Sequence, residues 1–86
     1  MNGINRNNPK PLYLQLEEII RGNIEKGLWL TDTKIPSEAE LMEEYDLSRI
    51  TVRNACNQLV KEGVLYRVAG KGTFVAQPKI MTSSLA

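Results

Sequence analysis

Leu47-Ser48-Arg49-Ile50-Thr51-Val52-Arg53-Asn54-Ala55-Cys56-Asn57-Gln58-Leu59-Val60-Lys61 carries the clearest periodicity in the chain. Val52, Ala55, Cys56, Leu59 and Val60 recur at i, i+3, i+4, i+7 and i+8, the spacing of one buried helical face. Ser48 stands just ahead of that pattern, where a hydroxyl can cap the first free N–H groups of a helix. Lys61 suits the negative end of the helix dipole, and Gly63 offers the left-handed residue that closes a helix. The opposite face carries Ile50, Arg53, Asn54, Asn57 and Lys61, with Arg49 at its border beside Arg53. One short segment thus predicts a helix with an apolar side for a core and a cationic, amide-rich side for something else.

Upstream, Ser37 and Glu40 make a capping box, so a second helix is predicted to start there. Its acidic residues crowd the first turns, where the dipole favours them. Leu41, Met42 and Tyr45 supply its apolar side, and Asp46 is a residue type that tolerates a left-handed stop. Pro36 biases Ile35 toward extended geometry, which places a short strand before that helix. Further back, Leu12, Leu16, Ile19, Ile20 and Ile24 share one helical face, with Pro11 suited to the first turn and Gly27 to the stop. Residues 1–10, polar and Asn-rich, read as a flexible arm. Downstream, residues 64–68 and 73–75 favour β structure and flank Ala69-Gly70-Lys71-Gly72, which predicts a hairpin. Residues 77–86 show no periodicity and read as the start of a linker. The fold expected is mainly α with a small β-hairpin: three helices, a short strand and a two-stranded wing over residues 11–76, a winged helix-turn-helix.

A chain of 86 residues supports one modest core. A catalytic cleft of ordinary size would be hard to build in it. No apolar run approaches the roughly 20 residues that a membrane span needs, and the N-terminus lacks a signal peptide's apolar stretch. Histidine is absent, which removes most metal sites and most acid–base catalysis at neutral pH. No metal or cofactor is expected. The single cysteine, Cys56, cannot form an internal disulfide and fits a cytosolic compartment. Net charge is only +1, but residues 48–75 carry +4 whereas residues 37–46 carry −5. Blocks of opposite sign in adjacent elements predict a polarised molecule with one anion-facing side.

In a helix-turn-helix, the first residues of the second helix meet base edges in the major groove. Here these are Arg49, Ile50, Thr51 and Arg53. Arginine can bind both acceptors of guanine, and threonine or an apolar side chain can meet a thymine methyl. Ser48 and the helix N-terminus suit a phosphate, and Asn57 lies further along the same outer face. At the hairpin, Gly70-Lys71-Gly72 forms a compact cationic tip of the kind that reaches into a minor groove. Arg67 and Lys71 could equally contact phosphates alone, and a glycine pair is also common in ordinary hairpin turns. Three other motifs carry no chemistry. Gly70-Lys71-Gly72-Thr73 departs from a phosphate loop because Gly72 separates lysine from threonine. Cys56 falls on the core face. Glu43 and Glu44 are adjacent on a helix and point in different directions.

Ile35-Pro36-Ser37-Glu38, Leu47-Ser48-Arg49-Ile50-Thr51-Val52-Arg53 and Gly70-Lys71-Gly72-Thr73-Phe74-Val75 resemble the signature of GntR-type bacterial transcription regulators. Pro11-Leu12-Tyr13 and Gln77-Pro78-Lys79 further resemble the HutC-type subfamily. The resemblance implies binding of a palindromic operator as a dimer, and repression more than activation. It implies a base contact for Arg49, a phosphate anchor at Arg53, and a wing tip with Gly70 in the minor groove beside Lys71 and Gly72. It also implies a C-terminal effector domain that supplies the homodimer contact, for which this chain has no room, and a place in the bacterial cytoplasm at the nucleoid. Ala39 departs from the family, which commonly has arginine after Pro-Ser-Glu. An enzyme would need a cofactor-bearing second domain, as in the branch fused to an aminotransferase-like module. A protein-binding winged helix would place apolar side chains on the outer face of the third helix, where only Ile50 is apolar.

Overall fold

A computed structural model describes residues 3–78 of the chain. Three helices, α1 (Leu12–Glu25), α2 (Glu38–Tyr45) and α3 (Arg49–Lys61), precede an antiparallel hairpin of β1 (Leu65–Val68) and β2 (Gly72–Val75). The expected linker residues 79–86 lie outside the described residues.

Each helix ends where its sequence provides for an end. Ser37 accepts the Glu40 N–H at 3.1 Å while the Glu40 carboxylate accepts the Ser37 N–H at 2.8 Å, so the capping box forms. Gly27 and Gly63 follow α1 and α3 with φ of 78° and 81°. They let Leu28 and Val64 donate back to Asn23 and Leu59, each at 2.9 Å, which satisfies otherwise free carbonyls. Asp46 closes α2 in the left-handed conformation, φ 55°, ψ 53°. Pro11 differs slightly from expectation: it sits at the cap of α1, with ψ 145°, rather than inside its first turn.

The core joins all these elements. Leu16 and Ile20 of α1, Leu41 and Tyr45 of α2, and Val52, Ala55, Cys56 and Leu59 of α3 are buried together with Ile35, Leu47, Leu65 and Val75. The predicted core face of α3 is the face that packs, with Val60 partly buried at its edge. In the hairpin Leu65 pairs with Val75 and Val68 with Gly72. The short extended piece before α2 joins this sheet: Lys34 bridges to Phe74, Ile35 donates to Thr73 at 2.9 Å and Val75 donates to Thr33 at 3.0 Å. That isolated bridge, rather than a third strand, ties the wing to the start of α2.

Residues 3–10, expected as a flexible arm, make specific contacts with this body. Asn5 donates its N–H to the side-chain oxygen Oε1 of Gln15 at 2.7 Å, and the Gln15 side-chain amide donates to the Asn5 and Lys10 backbone carbonyls at 3.0 and 2.9 Å. Ile4 packs against the core.

Candidate nucleic-acid interface

The turn between α2 and α3 holds only Asp46, Leu47 and the cap residue Ser48. Ser48 Oγ accepts the Thr51 N–H at 3.2 Å and lies 2.9 Å from Thr51 Oγ1. This cap orients the first turn of α3, from which Arg49 and Ile50 project into solvent. Ile50 is 65 % exposed, too open for a core residue. Thr51 is half-buried against its cap, whereas Arg53, Asn54 and Asn57 are exposed further along the helix. Arg49 and Lys71 have no ion-pair partner among the described residues, so both present unneutralised charge.

The wing meets α3 through a hydrogen bond and α2 through an ion pair. Arg67 of β1 donates to Asn57 Oδ1 and lies 3.3 Å from Glu38 Oε2. Arg53 lies 3.4 Å from the other Glu38 oxygen, Oε1. The structure therefore brings Arg53, Asn57 and Arg67 into one cluster around a carboxylate from the first turn of α2. Glu38, Ala39 and Arg67 line a shallow depression together with Gly70, Lys71 and Gly72 of the wing tip. An arginine in place of Ala39 would add a cation beside that tip.

The tip is a tight turn, closed by the Lys71 N–H donating to Val68 at 2.9 Å. Gly70 has φ 75° and Gly72 φ 129°, values that L side chains rarely adopt. Gly72 also faces the Lys34 chain, whose Cε would stand 2.7 Å from a Cβ added there.

Sequence reasoning did not single out Glu38, Lys34 or Tyr13 for this site. Tyr13, from the first turn of α1, shares a groove with Asn54, Asn57, Gln58 and Lys61 on the outer side of α3. The Pro-Leu-Tyr motif marked Tyr13, but only the packing of α1 on α3 places it there. Cys56 is buried, and loss of solvation pushes its thiol up to about 11. It is a packing residue and a poor nucleophile. Among the described residues no group of acidic, cysteine or histidine side chains could hold a metal.

Three helices with a two-stranded wing define a winged helix-turn-helix, and comparisons with known proteins give the family. The pattern of the bacterial regulatory proteins of the gntR family matches residues 12–75. The chain is 47 % identical over 83 residues to the uncharacterized HTH-type transcriptional regulator YurK of Bacillus subtilis (strain 168), covering 96 % of this chain and 34 % of that protein. It is 43 % identical over 74 residues to the histidine utilization repressor of Klebsiella aerogenes, covering 86 % of this chain and 31 % of that one. Among solved structures, the AraR DNA-binding domain in complex with operator ORX1 matches with a TM-score of 0.73 and 50 % identity, over 74 % of this chain and 77 % of that one. The chain belongs to the gntR family of bacterial regulatory proteins and is a DNA-binding domain of that family. Its relatives include histidine utilization repressors, the HutC type. It spans about a third of the length of the curated relatives it matches.

Proposed function

We propose that this domain reads a palindromic bacterial operator with α3 in the major groove and the wing tip in the minor groove. Arg49, Ile50 and Thr51 face bases, while Ser48, Arg53, Asn57 and Arg67 hold the backbone. Gly70, Lys71 and Gly72 follow the minor groove, where the absence of bulk allows close approach. The observation that carries this reading is the joined surface of α3 and wing: a Ser48-capped helix start with exposed Arg49 and Ile50, continuous through Arg53, Asn57 and Arg67 with the Gly70-Lys71-Gly72 turn.

The domain acts within a longer repressor in the bacterial cytoplasm, at the nucleoid. A second domain of that protein binds a small effector and pairs two copies on the two half-sites. Support comes from the relatives, which are about three times as long and include a histidine utilization repressor. No helix among the described residues is long and apolar enough to cross a membrane.

Selection from a pool of random duplexes, followed by a salt titration of the recovered site, tests the reading. A palindromic site should be enriched, with affinity falling steeply as salt rises. Arg49→Ala should relax the sequence preference. Arg53→Ala should weaken operator and random DNA alike and flatten the salt slope by about one unit. Equal effects of both changes on both kinds of DNA would remove the assignment of roles. If the selection enriches nothing, even with two copies fused to a dimeriser, α3 serves another partner.

A further inference from the structure

Residues 4–10 spend their polar groups in an ordered way. Asn5 Oδ1 accepts the Asn7 N–H at 3.0 Å and Asn8 Oδ1 accepts the Lys10 N–H at 2.9 Å. The Asn8 N–H in turn donates to the Asn5 carbonyl at 3.2 Å. The asparagines thus build local turns, as their short amides are able to do. The resulting knot is threaded on Gln15, a residue of α1 that is 94 % buried, being 6 % exposed. The Gln15 amide makes three hydrogen bonds, one accepted and two donated, all with the Asn5 and Lys10 backbone. A buried amide is costly unless paired, so Gln15 is a built socket for this segment.

From that knot Arg6 reaches 39 and 40 residues along the chain. Its Nη2 donates to the Tyr45 carbonyl at 3.3 Å and to the Asp46 carbonyl, and lies 3.7 Å from the Asp46 carboxylate. Tyr45 ends α2 and Asp46 is its left-handed cap; α2 has no basic residue in its own last turn. A guanidinium there satisfies free carbonyls at the negative end of the helix dipole. Leu47 and Ser48 follow at once, and Ser48 caps α3.

We infer that residues 4–10 are a brace: seated on Gln15, they use Arg6 to fix the turn between α2 and α3, and so set the angle at which α3 meets DNA without touching it. The inference rests on the DNA-reading function above. Arg6 is a positioning residue, and its effect should appear in discrimination between sequences.

The test compares the full chain with Arg6→Ala and Arg6→Lys. Arg6→Ala should lower affinity for the selected site by roughly tenfold, the scale of one charged hydrogen bond. Affinity for random duplex and the salt slope should stay as in the parent, and Arg6→Lys should restore part of the loss. Hydrogen exchange in the DNA-free protein should speed up at the Leu47 amide, which donates to Met42 at 3.0 Å across this turn. If both affinities fell together and the slope dropped by about one unit, Arg6 would be a phosphate contact and the brace would be wrong. Unchanged exchange at Leu47 would overturn it as well. The exchange arm needs no DNA, so a parent chain that selected no site would defeat the DNA reading and leave the brace to be decided at Leu47.

Discussion

Glu38 divides its two carboxylate oxygens between Arg53 of α3 and Arg67 of β1, at 3.4 and 3.3 Å. Partly exposed ion pairs of this length contribute only about 0–1 kcal/mol each, so they are weak supports for the fold. Their consequence lies in the charge they withhold. A phosphate that takes either arginine must compete with a carboxylate already in place. Glu38→Gln should therefore raise affinity for random duplex and steepen the salt slope by up to about one unit, while the ratio of operator to random affinity falls. Parallel salt titrations of the two chains check this, and an unchanged slope would mean that Glu38 does not compete with DNA. This residue was legible only in part. Glutamate at the start of an acidic helix reads as a complement to the dipole, and nothing local reports partners 15 and 29 residues away. Arg49 and Ile50, by contrast, were legible because a cap and a helical period suffice to place them outside.

At the scale of elements, α2 is short enough to depend on its cap. The reciprocal bonds of Ser37 and Glu40 satisfy two N–H groups at its start. Ser37→Ala should cost about 1 kcal/mol, read as a lower midpoint in urea. Hydrogen bonds from the Ser37 backbone and side chain hold the Glu40 carboxyl below its ordinary value of 4.5. A carboxyl lowered on folding stabilises the fold above its unfolded value, and the gain is lost as pH falls through the folded value. The deficit of Glu40→Gln should accordingly be present at neutral pH and vanish in acid; a deficit independent of pH would assign it to packing. The caps, the α3 period and the glycine-flanked turn were legible because each rests on residues no more than eight positions apart. The Lys34 bridge was visible only as an extended bias before Pro36, since its partner Phe74 lies far along the chain. The ordered contacts of residues 3–10 escaped for the same reason: asparagines look solvent-loving, and Gln15 looks misplaced on a helix until its backbone partners are seen.

Over the whole molecule, α1 and α3 are the principal packed pair of helices, and their seam carries charge as well as apolar surface. Glu17 of α1 is 5 % exposed, with one oxygen, Oε2, buried and without a hydrogen-bond partner. Arg21 stands 3.8 Å from the other oxygen but is engaged by Glu62 at the end of α3. Burial, and then the neighbouring Glu62, raise the Glu17 carboxyl above its ordinary value of 4.5, while Arg21 pulls the other way. A carboxyl raised on folding acts opposite to Glu40. The folded state keeps the proton longer than the unfolded chain, so stability falls as pH rises from 4.5 through the folded value, and the penalty is complete above it. Glu17→Gln removes the buried charge and keeps the shape. At neutral pH it should stabilise the domain, read as a higher melting temperature. The advantage should fade as pH falls through 4.5 and be gone well below it, where Glu17 is protonated in both states. Thermal melts of both chains across that range isolate Glu17, since Glu40 is common to both and its contribution cancels in the difference. A Glu17→Gln chain that is less stable at neutral pH would show that the pairing with Arg21 outweighs burial, and that the charged seam holds α1 on α3.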